Sequence, residues 1–544
     1  MEEAKIKTVT AIVLLVILLT QLPVCGQESP TPSISLHIAV LQGNIDAVRQ
    51  HINAGSDLNK KDAWGSTPLI IATTFAKAEV AKALIKAGAD MTIGNNEGST
   101  PLHIAALLGR TDIVKALLDK GIDKYIRNNN GATAFDIVAV PFDDDKEIYD
   151  KLGAGLKPLG LELDYERIKK TRPKIAEMLR PSEEQLRAVK YTPLPDDGWE
   201  VSTPAKQGLD PMLVAELYLD ASKLETIYGL LVVKNGYLIA EGYFNEGSVN
   251  QLSKRASVTK SYTSAMVGIA LAQGHLESID QKMIDFFPEF KDRITDPRKK
   301  QITIRQMLQM RAAYLWEETD MKYWDLIWTG QYLPLIEKYP LTCNPGTRFQ
   351  YSNLTSHLLG IIVTRACGKD LKSFGQEYLF SPLEVKLGDW NQDVDGYYIG
   401  CADIQFTARD MARFGLLYLN DGIYKGKQIV PADWVEKSLE SYSDDIDTAG
   451  IKSGKLGRYL YDIGYGYQWW SASVGGHHIN FAWGHGGQLI ILLDEFDMII
   501  VVTADSFWGK DLHWQAWKHE QANINLVGKF IKSLPKLINT EQIK

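Results

Sequence analysis

Cysteine is scarce in this chain: four residues in 544, at positions 25, 343, 367 and 401. If Cys25 leaves with a leader, three scattered thiols remain, too few and too dispersed for a disulfide framework or a zinc site. They read as buried free thiols, with one disulfide as the alternative. Positive charge is not in surplus either. The 59 basic against 67 acidic side chains leave a net charge of −8, and no basic stripe interleaves with aromatics, so nucleic acid is not an expected partner. Short basic runs such as KKTRPK at 169–174 and DPRKK at 296–300 read as solvated helix ends or turns. Beyond the first thirty residues no apolar run is long enough to suggest a transmembrane span. The composition of a disordered chain is missing too, since 45% apolar and 23% charged residues is ordinary for a globular protein. A chain of this length exceeds one compact domain and implies two or three.

What is present begins with MEEAKIKTVTAIVLLVILLTQLPVCGQESP, a lysine-bearing start, an apolar run from Thr8 to Leu22, and small residues before a polar stretch. Residues 1–26 read as a secretory signal, which implies export. Three endings stay open. Val24 and Gly26 suit an ordinary cleavage site. Leu22, three residues before Cys25, resembles a lipobox, which would lipidate Cys25 and attach the protein to a membrane. The run also approaches the roughly 20 residues of an uncleaved anchor.

Self-similarity follows. Gly65, Gly98 and Gly131 recur every 33 residues, and so do Leu36, Leu69, Leu102 and Phe135, then Ala39, Ala72 and Ala105, then Gly55, Gly88 and Gly121, then Asp57, Asp90 and Asp123. Chance does not keep five registers together. The unit GSTPLHIAALLGRTDIVKALLDKGID resembles the ankyrin repeat, with Thr100 able to cap a first helix and Pro101 at its first position. About four such units from Ser33 to roughly Val140 imply an all-α solenoid, assigned to residues 33–150. The resemblance implies a protein partner on the concave face; the alternative is a cap packed on the next domain. His37 and His103 stand at the family's histidine position and read as structural.

A helical connector is assigned to 151–193, and the text changes character at Leu194. LLVVKNGYLIAEGYF at 230–244 reads as a hairpin around Asn235-Gly236. QLIILLDEFDMIIVVTAD gives a second, from Gln488 to Asp505, followed by a helix rich in Trp, Phe and Ile. Strands at both ends of 194–544 with helical text between them suggest an antiparallel sheet built from distant segments, an α+β layout.

The stretch RASVTKSYTSAMVGIALAQG, from Arg255 to Gly274, carries the chemistry. Residues Val258 to Gln273 favour one helix with almost no polar face, which must be central. Ser257 and Lys260 lie one turn apart on the same side. A lysine near a helix N-terminus, partly desolvated, has its charged form disfavoured by burial and by the helix dipole, and can take a proton from a serine. Ser-x-x-Lys alone is weak. A second match, Ser533 to Lys536, contains Pro535 and no central helix, and reads as chance.

Two further elements follow in order. NPGTRFQYSN contains Tyr351-Ser352-Asn353, and AWGHGGQLIILL contains His485-Gly486-Gly487 opening a strand. The three motifs resemble those of the penicillin-recognising serine hydrolases, in particular class C β-lactamases, 6-aminohexanoate-dimer hydrolase and family VIII-type carboxylesterases. That resemblance covers about Leu194 to Ile538 and implies a β-lactamase-like domain, with its sheet flanked by helices and a helical subdomain inserted between the first two motifs. It further implies Ser257 as acylated nucleophile, Lys260 as its base, and Tyr351 as proton relay. Asn353 would hold the substrate's acyl-side carbonyl or amide. His485 would orient Tyr351 or the leaving group, and the N–H groups of Ser257 and Gln488 would form the oxyanion hole. Gly486 and Gly487 would let substrate approach the strand closely.

Each residue also has a plainer reading. Tyr351 could be a core tyrosine, Asn353 opens a formal Asn-Leu-Thr glycosylation triplet, and His477 and His478 read as exposed loop residues. The third motif has a histidine where relatives carry lysine, which weakens recognition of an anionic substrate. No glutamate with the deacylation role of class A enzymes stands out, and MRAAYLWEE at 310–318 departs from the relatives' threonine, serine and glycine turn. The expectation is therefore an exported serine hydrolase cleaving a small ester, amide or peptide, without metal or organic cofactor. A D,D-peptidase or weak β-lactamase is one alternative. The other is a non-catalytic sensor that recruits a partner through its ankyrin face.

Overall fold

The computed structural model describes residues 33–139, 142, 146–194, 198–317, 321–443, 446, 456–506 and 513–536. The leader and Cys25 lie outside them. The chain divides into two compact units between Ser182 and Glu183.

In the first unit, helices pair in register with the repeat: α1 (Leu36–Gln42) with α2 (Ile45–Asn53), α3 (Pro68–Thr74) with α4 (Ala78–Lys86), α5 (Pro101–Leu107) with α6 (Thr111–Asp119), then α7 (Ala134–Ala139). The recurring residues explain the stacking. Ala39, Ala72 and Ala105 are wholly buried and, lacking bulk, let neighbouring repeats approach. Gly98 has φ +71°, and a Cβ there would lie 2.7 Å from Asn129 Oδ1 of the next turn. The turns are stitched by Asn96 N–H to Trp64 O at 3.2 Å and Asn129 N–H to Glu97 O at 2.9 Å. His103 is structural: Nδ1 accepts from Thr100 N–H at 3.2 Å, so the other nitrogen carries the proton and donates to Ala132 O at 2.9 Å. Burial holds its pKa below the usual value.

Helices α8 (Lys146–Leu156) and α9 (Tyr165–Leu179) belong to the same unit. Ile175 and Leu179 of α9 join the repeat core, and Arg172 donates to Ile137 O at 2.7 Å. The stretch 151–193 is thus split: its first part closes the solenoid, and residues from Glu183 go with the second unit.

The second unit is built on a seven-stranded antiparallel sheet: β1 (Ile227–Lys234), β2 (Tyr237–Tyr243), β3 (Tyr461–Tyr465), β4 (Trp470–Val474), β5 (His477–Gly484), β6 (Gln488–Leu493) and β7 (Met498–Ala504). The spatial order is β2-β1-β7-β6-β5-β4-β3, so the two ends of the domain meet where β1 pairs with β7, Ile227 opposite Ala504 and Lys234 opposite Met498. Asn235 and Gly236 have φ +51° and +77°, as a two-residue hairpin turn of the I′ kind demands. The central strands β6 and β7 are buried at every position because both faces are covered, whereas β3 at the edge is partly exposed. Leu231, Val233, Ile490 and Ile499 face α11 (Thr259–Ala272), α12 (Asn353–Cys367) and α13 (Ala408–Leu419). Leu230, Val232, Ile491 and Ile500 face α10 (Pro211–Ala221) and α14 (His513–Lys532).

Every residue of α11 from Thr259 to Ala270 is buried, as a central helix requires. The three thiols Cys343, Cys367 and Cys401 are free. One expectation fails: His477 is only 2% exposed. It is the first residue of β5, with Nδ1 against the Glu495 carboxylate and Nε2 3.4 Å from Leu534 O. Gly475 and Gly476 form the turn, and the strand has begun by His477. Among the described residues no helix is long and apolar enough to cross a membrane.

Candidate active site

The Ser257 turn is fixed before the helix starts. Ala256–Val258 form a 3₁₀ turn leading into α11, and Ala256 holds a left-handed φ of +44°, a costly conformation for a residue with a Cβ. Arg255, buried, anchors it by donating through Nε to Phe406 O at 2.9 Å and through Nη1 to Gln488 Oε1 at 3.0 Å. Ser257 itself remains partly exposed.

Lys260 is 1% exposed. Its Nζ lies 2.8 Å from Ser257 Oγ, 2.8 Å from Asn353 Oδ1 and 2.9 Å from Cys401 O. An ammonium would offer three protons to these three acceptors. A neutral amine would give two, to Asn353 and Cys401, and turn its lone pair to the serine hydroxyl. The same Nζ is 4.9 Å from the centre of the Tyr351 ring, so the structure brings Ser257, Lys260, Tyr351 and Asn353 together. Tyr351 is 7% exposed, stacked on Trp470 with ring centres 5.6 Å apart and edge-on to Trp316 at 5.6 Å. Because Lys260 engages Asn353 Oδ1, any contact of Asn353 with a carbonyl falls to Nδ2. Asn353 is 6% exposed and begins α12, which leaves no room for a glycan.

His485, Gly486 and Gly487 form the turn between β5 and β6 and do not open a strand. Their glycines face protein. A Cβ on Gly486, at φ +81°, would lie 2.5 Å from Ser506 Cα, and one on Gly487, at φ +85°, 2.7 Å from Asn523 Nδ2. The close approach expected of substrate there is made by the chain's own residues. Gly484 takes that place: a Cβ on it would be 2.4 Å from Arg255 O and 3.2 Å from the Ser257 amide nitrogen. Gln488 lies across the ladder from Gly484, and its side chain bonds Arg255 Nη1, Ala504 and Ser506. His485 Nδ1 lies 3.1 Å from Glu520 Oε2, which also accepts from Gly486 N–H at 2.9 Å.

Sequence reasoning missed several members of this site. Cys401 contributes a carbonyl, and its loop is clamped by Thr263 Oγ1 donating to Gly400 O at 2.7 Å and Gly400 N–H donating to His357 Nδ1 at 3.1 Å. Backbone acceptors leave no trace in side-chain text. Glu520 comes from α14, 35 positions beyond His485. Glu317 is wholly buried and takes three hydrogen bonds from Ser352-Asn353-Leu354. The WEE in which it stands was the one available signal. Among the described residues no group of His, Cys, Asp and Glu could hold a metal ion.

Both parts of the chain have counterparts among known proteins. Residues 36–128 match the family model for ankyrin repeats in three copies. The chain is 24% identical over 301 residues to the 6-aminohexanoate-dimer hydrolase of Paenarthrobacter ureafaciens, covering 52% of this chain and 74% of that one. It is 29% identical over 192 residues to an N-acetylmuramyl-L-alanine amidase of Bacillus subtilis, 31% of this chain and 43% of that one. It spans only 33% of the length of the fimbrial assembly protein FimD, serogroup D, of Dichelobacter nodosus, at 35% identity and over 24% of this chain. Among solved structures, the octameric penicillin-binding protein homologue from Pyrococcus abyssi aligns at TM-score 0.41 and 18% identity, over 55% of this chain and 72% of that one. Residues 228–511, more than half of the chain, match the β-lactamase family model, and the chain therefore belongs to the β-lactamase-fold family of serine hydrolases, with ankyrin repeats ahead of that domain.

Proposed function

We propose that this protein cleaves an ester or amide bond through an acyl-enzyme on Ser257. The observation that carries the reading is the placement of Lys260 Nζ, 2.8 Å from Ser257 Oγ with Asn353 Oδ1 and Cys401 O taking its other two directions. In acylation the hydroxyl proton passes to Lys260, and Oγ attacks the substrate carbonyl carbon. The oxyanion forms against the Ser257 N–H and the hairpin that joins Gly484 to Gln488. Collapse breaks the bond to the leaving alcohol or amine, which departs with the proton returned through Tyr351. Water then adds to the acyl carbon, loses a proton to the same relay, and releases the acid as Ser257 regains its hydrogen. His485, braced by Glu520, serves Tyr351 or the leaving group.

The histidine in the third motif favours an uncharged acyl portion over the carboxylate-bearing substrates of D,D-peptidases and β-lactamases. The likeness to 6-aminohexanoate-dimer hydrolase supports including amides. The leader read in the sequence supports export, with Cys25 as the lipidation site if the lipobox ending holds, and the ankyrin array supports a protein partner.

The test uses protein lacking residues 1–26, its Ser257→Ala variant, and a panel of p-nitrophenyl esters and p-nitroanilides, with a serine-reactive phosphonate located by tryptic mass spectrometry. Turnover and a label on Ser257, both lost in the variant, are expected. Folded protein with neither would overturn the reading.

A further inference from the structure

Behind the Tyr351-Ser352-Asn353 turn lies a carboxylate with no part in the steps above. Glu317 is 0% exposed. Ser352 Oγ donates to its Oε1 at 2.6 Å, Leu354 N–H to the same oxygen at 3.1 Å, and Asn353 N–H to Oε2 at 2.9 Å. The two backbone donors are at the start of α12, where N–H groups have no partner within the helix. Ser352 closes the arrangement by capping α12 through Oγ, which accepts from Thr355 N–H at 3.0 Å. Asn353 is therefore gripped at both ends, its backbone by Glu317 and its side chain by Lys260.

We propose that Glu317 is the positioning residue of this site: its ionised carboxylate fixes the Tyr351–Asn353 turn against Lys260, and its protonation releases that grip. The proposal rests on the hydrolase reading above for its catalytic consequence. Three donors converge on Glu317, so the anion matches the site and the acid does not, since a protonated carboxyl brings a donor of its own among groups that already donate. Burial pushes the Glu317 carboxyl up to about 7, against the opposing pull of Ser352 and the α12 amides, which puts the change of state within the working range of pH.

The titratable groups facing Glu317 are few. The Tyr332 hydroxyl and Cys401 thiol feel its charge, and both are neutral near pH 7 because burial drives them up, Cys401 to about 11. His357, whose ring is tilted against Tyr332 with centroids 4.1 Å apart, is held low by burial and paired with Asp393. Lys260 stands beyond Asn353, and Tyr351 is on the gripped turn itself.

The experiment measures kcat and KM against pH for an activated ester in the wild type, Glu317→Gln and Ser352→Ala. It also follows amide hydrogen exchange of the peptide spanning 349–357 and phosphonate labelling of Ser257. In the wild type kcat should fall as pH drops through about 7. Glu317→Gln should lose that limb, lower kcat at pH 8 about tenfold with KM little changed, and speed exchange at Asn353 and Leu354. Ser352→Ala removes a bond that favours the anion, so its limb should move to higher pH. A folded Glu317→Gln with the wild-type limb and unchanged exchange would overturn the proposal. Should that variant not fold, an unmoved limb in Ser352→Ala would overturn it instead. Faster exchange in Glu317→Gln beside a wild type that neither turns over nor labels would sink the hydrolase reading alone and leave the placement role standing.

Discussion

His485 Nδ1 sits 3.1 Å from Oε2 of Glu520, a carboxylate only 1% exposed. A carboxylate accepts and does not donate, so it holds the proton on Nδ1 and fixes Nε2 as the ring's other functional nitrogen. Glu520→Gln would disturb the tautomer while keeping the shape. Under the proposed role for His485, hydrolysis of p-nitroanilides, whose leaving amine must be protonated, should fall about 10²-fold, the lower end of the 10²–10⁴ range of general acid–base help. Hydrolysis of a p-nitrophenyl ester, whose leaving group departs unprotonated, should fall less. Equal losses on both substrates would remove His485 from proton transfer.

Gly484 supplies a second prediction. A methyl group there would collide with Arg255 O at 2.4 Å and crowd the Ser257 amide at 3.2 Å, and a backbone carbonyl cannot swing aside as a flexible side chain can. Gly484→Ala should displace the serine turn from the hairpin and lower kcat about 10²-fold, the scale of one lost oxyanion donor. Phosphonate labelling should slow in parallel, with thermal stability recorded beside it. An alanine variant of normal kcat would show that the oxyanion is held elsewhere.

What the sequence made legible was periodic or contiguous. The 33-residue repeat, the Asn235-Gly236 hairpin and the apolar α11 each declare themselves over a short window, and Ser257 with Lys260 is a matter of helical pitch. The distant pairings were hidden for a physical reason: nothing local to Ser352 announces that a carboxylate from position 317 will cover its helix start, nor that Glu520 will meet His485. The third motif is ambiguous in sequence for a related reason. The apolar run QLIILL makes His485-Gly486-Gly487 look like the opening of its strand, whereas the positive φ angles of Gly486 and Gly487 belong to the turn before it. Gly484, whose need for a missing Cβ arises only from Arg255 and Ser257, carried no mark of its own.

A third prediction concerns stability. Glu241 and Arg409 form a buried pair, Nε to Oε1 at 2.8 Å and Nη2 to Oε2 at 2.7 Å, with Tyr243 OH and Leu194 N–H also donating to the carboxylate. Burial raises the Glu241 pKa, but the Arg409 guanidinium and the other donors outweigh it and hold the group below the usual carboxylate range. A carboxylate with a depressed folded pKa adds stability that is present above its unfolded value and lost as pH falls through the folded one. Arg409→Met should therefore cost about 3–5 kcal/mol at pH 7 by stranding the buried charge, and progressively less in acid, as pH falls below the unfolded carboxylate value and through the depressed folded one. Urea unfolding followed by tryptophan emission reports the second unit, because all tryptophans but Trp64 lie beyond residue 182. A penalty that did not shrink in acid would mean that the loss came from packing and not from charge.

The last prediction tests where the solenoid ends. Ile175 and Leu179 of α9 are 0% and 2% exposed and join the apolar core of the repeats, and Arg167 and Arg172 tie α9 to Gly109 O and Ile137 O, each at 2.7 Å. A terminal repeat cannot cover its own apolar face, so α9 acts as the lid of the array. Ile175→Ala should destabilise the first unit by about 2–5 kcal/mol, the usual loss for emptying a buried aliphatic site. Hydrogen exchange over α7 and α6 should quicken in the full-length variant while exchange in the seven-stranded sheet stays unchanged. If the sheet loosened and the repeats did not, α9 would belong to the second unit.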